Sequence, residues 1–237
     1  HFDFYVPTRI IFGRDRLKEL AEIELPGKKA LIVITNGRSM RNLGYLDTVT
    51  ALLAGQGVEA EVFDSVLPNP IEQHVMEAAE MARNANCDFI IGLGGGSAID
   101  SAKAIAMMVK NPGTYWDYVK GHRAVTEDVL PIIAIPTTAG TGTETDPWTV
   151  ITNAETNEKI GIGIPQLFPK IAIVDPALMV SVPKNLTAYQ GMDAFFHAAE
   201  GYLACIAQPV SDLLALEAIR QITEFLPQAV QDGNNLQ

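Results

Sequence analysis

The chain is poor in the residues that would place it in several large functional classes. Its 237 residues include two cysteines, Cys87 and Cys205, too few and too far apart for a disulfide framework or a thiolate metal site. Basic residues are outnumbered: Lys plus Arg is 17 against 28 for Asp plus Glu, a formal charge of −11. A chain this acidic repels a phosphate backbone, and no local basic patch offsets it, so nucleic acid is not an expected partner. Long apolar runs are missing too. Leu31–Ile34 and Ile132–Ile135, among the longest, fall far short of a membrane span. The opening residues His1-Phe2-Asp3-Phe4 have neither a basic n-region nor an h-region. Internal repeats and low-complexity tracts are absent. Together these absences set the expectation of a soluble, cytoplasmic protein with no nucleic-acid or membrane partner. What is present is apolar bulk. Hydrophobic residues make up 48% and charged ones 19%, which supports a large core and excludes a disordered chain.

Hydrophobic patterning predicts strands alternating with helices. Phe4–Phe12 reads as an edge strand because a proline sits near its start. Arg16–Ala21 reads as a short helix. Lys29–Thr35 is a continuous apolar run ending in Asn36-Gly37, the pattern of a strand buried on both faces and its turn. Helices are predicted at Tyr45–Gln56, Ile71–Asn86 and Ala98–Val109, and further strands at Val58–Phe63, Asp88–Leu93, Pro131–Pro136 and Ile171–Val174. Thr149–Thr152 and Lys159–Ile164 flank a polar turn and read as an antiparallel hairpin. The alternation predicts an α/β fold: a parallel sheet with helices on both faces. After Pro183 the strand pattern stops. Residues 186–206 and 209–231 are long, Ala- and Leu-rich helical stretches. A boundary is therefore placed between an α/β domain, 1–183, and the start of an all-helical domain, 184–237, too small to hold a core of its own.

Three segments carry chemistry. Ile90-Ile91-Gly92-Leu93-Gly94-Gly95-Gly96-Ser97 joins a strand to a helix, where glycines permit close backbone approach and a helix N-terminus attracts anions. It reads either as a phosphate cradle or as a tight turn capped by Ser97. It is not the G-x-G-x-x-G fingerprint, since Ser97 stands at the third glycine, and no P-loop lysine follows. Pro136–Glu144 (PTTAGTGTE) is small and hydroxyl-rich, suited to wrapping a pyrophosphate or ribose, or simply a Gly/Thr turn. Both loops follow strands of one inferred sheet, at the edge where open α/β sheets bind ligands. In Gly191–Glu200 (GMDAFFHAAE), Asp193 and His197 are four residues apart and share a helix face. They suit Fe²⁺ or Zn²⁺, or form an ordinary side-chain pair. Phe195 and Phe196 read as helix core, with a substrate wall as the alternative.

In this order the segments resemble the iron-dependent (group III) alcohol dehydrogenase family. The residues that carry the resemblance are Gly94–Ser97 with Asp100 and Lys103, then Pro136–Glu144, then Gly191–Glu200, supported by Leu67–Pro70 and by Ile171–Pro176 (IAIVDP). The resemblance covers almost the whole chain. It implies an NAD(P)-binding α/β domain and an all-helical domain, with metal and substrate between them. It implies that Gly95, Gly96 and Ser97 hold the pyrophosphate, that Thr137, Thr138 and Thr141 line the cofactor, and that Asn69 and Lys159 lie near the ribose or nicotinamide. Asp100 is a cofactor residue on this reading and a plain first-turn helix acid on the other. Asp193 and His197 would be metal ligands.

The implied reaction moves hydride between the cofactor and a small-molecule alcohol or aldehyde, with a divalent metal, Fe²⁺ or Zn²⁺, as Lewis acid. A polyol dehydrogenase on the same fold and a catalytically silent NAD(P)-binding chain are the alternatives. Cofactor choice follows from the turn Thr35-Asn36-Gly37-Arg38-Ser39. It carries no acid to repel a 2′-phosphate, and Arg38 and Ser39 can accept one, so the expectation leans to NADP over NAD. The family draws its remaining metal ligands from histidines downstream, and the sequence has none after His197. The expectation is a fragment or truncated form that binds metal poorly and does not turn over by itself. A homodimer or higher homo-oligomer is expected, with the exposed edge of Phe4–Phe12 able to pair with a partner subunit.

Overall fold

A computed structural model describes residues 1–125 and 128–236. In chain order it contains β1 (Arg9–Phe12), a 3-10 turn (Arg16–Ala21), β2 (Lys29–Thr35), α1 (Ser39–Asn42), α2 (Tyr45–Gly55), β3 (Glu59–Val66) and α3 (Glu72–Asn84). Then follow β4 (Phe89–Gly94), α4 (Gly96–Lys110), α5 (Tyr115–Val119), β5 (Ile132–Pro136), the hairpin β6 (Trp148–Asn153) and β7 (Glu158–Gly163), and β8 (Ile171–Val174). Two long helices, α6 (Lys184–Leu203) and α7 (Pro209–Gln231), complete it.

Six strands form one sheet in the order β1-β8-β5-β4-β2-β3, and every pairing is parallel. The residues of β2 show why. Leu31 and Val33 enter one apolar cluster with α3 and α4. Ala30, Ile32 and Ile34 enter the other, with Leu46, Val49 and Leu53 of α2. Successive side chains of a strand point to opposite faces, so a strand covered on both sides must be apolar throughout. The same holds for β4 and β5, which are buried at every position. The chain goes from β2 out to β3 and returns to β4 on the other side of β2. The direction of winding therefore reverses between β2 and β4, leaving a crevice at their carboxyl ends.

Three details differ from the sequence expectations. Strand β1 pairs only over Arg9–Phe12, because its one neighbour, β8, offers four residues; Phe4–Thr8 lies outside the sheet. Ser97 does not cap α4. Gly95 is the cap and Ser97 lies inside the first turn. Phe195 and Phe196 are not core: Phe196 is 56% exposed, and no residue of α6 is buried. The short helices α1 and α5 had no periodicity long enough to be read.

Buried carboxylates tie loops to the sheet. Asp175, after β8, accepts N–H bonds from Asp15 (3.1 Å), Leu17 (3.0 Å) and Ala177 (2.9 Å). Helix α7 starts on Pro209, a residue suited to the first helical position, with the Gln208 side chain accepting from Val210 N. Helices α6 and α7 pack mainly on each other. They leave Leu203, Ile206 and Leu213 exposed. No helix among the described residues is long and apolar enough to cross a membrane.

Both cysteines are free thiols, Cys87 buried and Cys205 exposed. Burial pushes the Cys87 thiol up to about 11, so it is not a thiolate at neutral pH. A thiol-specific disulfide reagent at pH 8 should therefore modify one thiol in the folded chain, Cys205, and both after denaturation. Rapid modification of both in the native chain would contradict the packing of Cys87.

Candidate functional site

The glycine loop takes its shape from the end of β4. Gly95 caps α4 without any side-chain help, and its carbonyl accepts the N–H groups of Ala98 and Ile99 at 3.0 and 3.3 Å. Gly96 and Ser97 are the first two helical residues, whose N–H groups have no carbonyl within the helix to bond. The second loop is hydrogen-bonded to the first: Thr137 N donates to Gly94 O at 2.9 Å. The two loops are in contact. A Cβ on Gly95 would lie 2.9 Å from Thr138 Oγ1, and one on Gly96 would lie 3.0 Å from Thr141 Cγ2. Glycine is what allows the approach.

Two of the cavities that border these loops hold residues singled out from the sequence. The larger, about 500 Å³, is lined by Asn69, Gly96, Ser97, Asp100, Thr141, Lys159, Asp193 and His197, with Trp148 and Asp146 on its wall. Lys159 Nζ donates to Asn69 Oδ1 at 2.8 Å, joining β7 to the loop after β3. The smaller, about 170 Å³, is lined by Ser39, Met40, Leu43, Thr137, Thr138, Leu178 and Val182. Most of the residues singled out from the sequence are thus brought together; Gly95 lines neither cavity but abuts Thr138 of the smaller and precedes Gly96 of the larger. Asn36 and Arg38 line neither. They are exposed on the turn after β2, where Asn36 N donates to Val66 O at 2.8 Å. Beyond the turn, Arg41 pairs with Asp64 of β3 at 2.6 Å.

Asp100 is not a first-turn acid, because α4 begins at Gly96 and has no acid in its first turn; Asp100 and Lys103 have partners that the sequence did not disclose. Asp100 Oδ1 accepts from Thr143 Oγ1 (2.6 Å) and Oδ2 from Val150 N (3.0 Å), so its carboxylate is already engaged although it borders the larger cavity. Lys103 is wholly buried, and its Nζ donates to Thr143 Oγ1 (2.7 Å), Trp148 O (2.8 Å) and Asp146 Oδ1 (3.0 Å). Burial raises the Asp100 carboxyl against the Thr143 bond and the Lys103 charge, and raises Glu144 likewise. Burial lowers Lys103, against the pull of Asp146, Asp100 and Glu144. The signal that pointed to them was the resemblance, whose motif includes both residues, three apart in the predicted helix Ala98–Val109.

On the far wall, Asp193 Oδ2 is 3.7 Å from His197 Nδ1. Nδ1 is also 3.2 Å from Gly140 O. An Nδ1 engaged with a backbone carbonyl leaves Nε2 as the nitrogen able to ligate a metal. A carboxylate and an imidazole on one cavity wall fit a divalent metal as part of a ligand set. Among the described residues no group of three or more His, Cys, Asp or Glu side chains gathers around a common metal position.

Comparison with known proteins is consistent across the chain. Residues 7–176 match the family model for iron-containing alcohol dehydrogenase, and residues 187–237 match the model for the C-terminal part of the Fe-containing alcohol dehydrogenase family. The chain is 36% identical over 236 residues to the NAD-dependent methanol dehydrogenase of Bacillus methanolicus, covering 99% of this chain and 61% of that protein. It is 37% identical to the NADPH-dependent butanol dehydrogenase of Clostridium saccharobutylicum, covering 94% of this chain and 57% of that protein. The crystal structure of sulfoacetaldehyde reductase from Bifidobacterium kashiwanohense in complex with NAD⁺ superposes with a TM-score of 0.91 at 35% identity. That match covers 99% of this chain and 62% of that one. The chain therefore spans about three fifths of the length of these relatives.

The seating of the threonine loop on α6 is open to test at Gly140. Its φ is +116°, and a Cβ there would lie 2.9 Å from Asp193 Oδ2 and 3.1 Å from the Gln190 carbonyl. Gly140→Ala should lower stability by about 1–3 kcal/mol, the usual cost of a side chain in such a conformation. Urea unfolding followed by circular dichroism reads the change, and an unchanged midpoint would contradict this seating.

Proposed function

The chain belongs to the iron-containing alcohol dehydrogenase family, and on that premise we propose that its α/β part, 1–183, binds NAD(P). We infer that Asp193 and His197, in the helical part 184–237, contribute to a divalent-metal site. The activity is that of an oxidoreductase moving hydride between the cofactor and a primary or secondary alcohol or aldehyde. The observation that carries this reading is the meeting of the glycine and threonine loops at the carboxyl ends of β4 and β5, with Asp193 and His197 lining the same cavity as Gly96 and Ser97.

The pyrophosphate binds at Gly95, Gly96 and Ser97, where helical N–H groups and the positive end of α4 meet its charge. Thr141 adds a hydroxyl from the facing loop. Asn69 and Lys159 hold the ribose and nicotinamide in the larger cavity. The adenine half takes the smaller cavity, against Leu43, Leu178 and the threonines Thr137 and Thr138. Ser39 on that wall and Arg38 beside it favour a 2′-phosphate, hence NADP(H) over NAD(H). Asp100 borders the pyrophosphate position and braces the hairpin. Among the matched relatives one is named NAD-dependent and another NADPH-dependent.

A metal bound at Asp193 and His197, iron or in its place zinc, supplies Lewis acidity that lowers the pKa of an alcohol or polarises a carbonyl. The chain's own share is positioning: the Gly140 carbonyl orients the His197 ring, and Asp193 brings the negative charge that a cation requires. Exposed Leu203, Ile206 and Leu213 support the reading that 184–237 is part of a larger helical domain. A homodimer through the open edge of β1 is part of the same proposal, since that strand has a neighbour on one side only.

A second reading, NAD(P) binding without turnover by this chain alone, is favoured by the lack of a third metal ligand among the described residues. Both readings predict cofactor binding. NADPH should quench the fluorescence of Trp148, which lines the cavity, and bind more tightly than NADH. Gly96→Val keeps the backbone N–H but sets a side chain against Thr141 where the two loops meet, and should weaken NADPH binding by about tenfold or more, the loss expected when one hydrogen bond to a charged group is displaced. A folded Gly96→Val chain with unchanged affinity contradicts the pyrophosphate placement. After dialysis the chain should retain well below one iron or zinc per molecule. A full equivalent would favour the first reading over the second.

A further inference from the structure

Among the described residues, Lys103 is the only cation buried in the core. A buried ammonium is costly unless each of its donors is engaged. Lys103 meets that condition with three acceptors, Thr143 Oγ1, Asp146 Oδ1 and the Trp148 carbonyl, at 2.7–3.0 Å. All three belong to segment 143–148, which runs from the threonine loop into β6. The Thr143 hydroxyl in turn donates to Asp100 Oδ1, so two side chains of α4, Asp100 and Lys103, hold the segment. The segment also lines the larger cavity, where Thr143, Asp146 and Trp148 form part of the wall beside Asp100. Strand β6 also carries β7, with Thr152 paired to Lys159.

We propose that Lys103 is a positioning residue for the nicotinamide half of the dinucleotide. It holds Trp148 and, through the hairpin, Lys159 at the wall of the larger cavity. The smaller cavity, formed by Thr138, Leu178 and their neighbours, has no wall residue in segment 143–148 and takes no support from it. Lys103 has a second effect. Asp100, Asp146 and Glu144 bring carboxylates close to a site that receives an anion, and the buried ammonium offsets them. The proposal rests on the dinucleotide reading given above.

The test separates the two halves of the ligand. Binding of NADPH and of adenosine 2′,5′-bisphosphate, which carries only the adenine half, is measured by calorimetry on the 237-residue chain and its Lys103→Met variant. NADPH should bind about tenfold more weakly or worse to the variant, while the bisphosphate stays within about twofold. A parallel loss of both ligands means a general structural role and overturns the proposal, as does unchanged NADPH binding. If Lys103→Met does not fold, Thr143→Val removes one acceptor and leaves the lysine in place. The same selective loss, about threefold, is then expected, and its absence overturns the proposal. A wild-type chain that binds neither ligand overturns the functional reading and this proposal with it. A wild-type chain that binds both, with variants showing no selectivity, leaves the functional reading intact and removes only the role of Lys103.

Discussion

A parallel sheet leaves every strand's carboxyl end, and the loop that follows it, on the same edge. Here six strands obey that constraint, and what the molecule offers a ligand follows from it. The turn after β2, the Pro68–Pro70 loop after β3, the glycines after β4 and the threonines after β5 come from distant parts of the chain and arrive at one edge. The constraint also dictates composition. Strands covered on both faces must be apolar throughout, so β4 and β5 are buried from end to end and polar residues begin where the strands stop. The chemistry is confined to the loops.

Helix α4 converts that edge into a shaped site. Its first turn presents backbone N–H groups, and its second and third turns are clamped by Asp100 and Lys103 to segment 143–150. The helix is at once the terminus proposed to bind the anion and the anchor of the opposite wall. The threonine loop has a similar double role. One side rests against the glycines, and the other reaches α6, where Ala139 N donates to Gln190 Oε1 and the Gly140 carbonyl faces His197. The loop proposed to touch the cofactor therefore also contacts the helix that carries the two metal-ligand candidates.

The sheet was readable from residues because its physics is local. Lys29–Thr35 and Ile171–Val174 form strands with the expected bounds, since an unbroken apolar run between turns has few other uses in a chain of this kind. The hairpin was legible from its polar turn. Phe4–Phe12 was overread: residue type cannot report how many partners a neighbouring strand provides, and β8 provides four. Phe195 and Phe196 looked like core because apolar residues usually find cover, and helix α6 buries none of its own. Within the site, the glycine and threonine loops were legible as loops that can approach a phosphate. Their mutual contact was not, because it depends on the order of β4 and β5 in the sheet. Nor were the partners of Lys103 legible, since Thr143, Asp146 and Trp148 lie 40 or more residues away.

The central claim is that the two loops form one dinucleotide site. Amide hydrogen exchange of the 237-residue chain with and without NADPH tests it most directly, because exchange reports each backbone N–H separately. The account predicts that NADPH slows exchange together at Gly95–Ser97 and at Thr137–Thr141, with the amides of α2 and α3 unchanged. Protection confined to one loop, or found elsewhere in the chain, would contradict it.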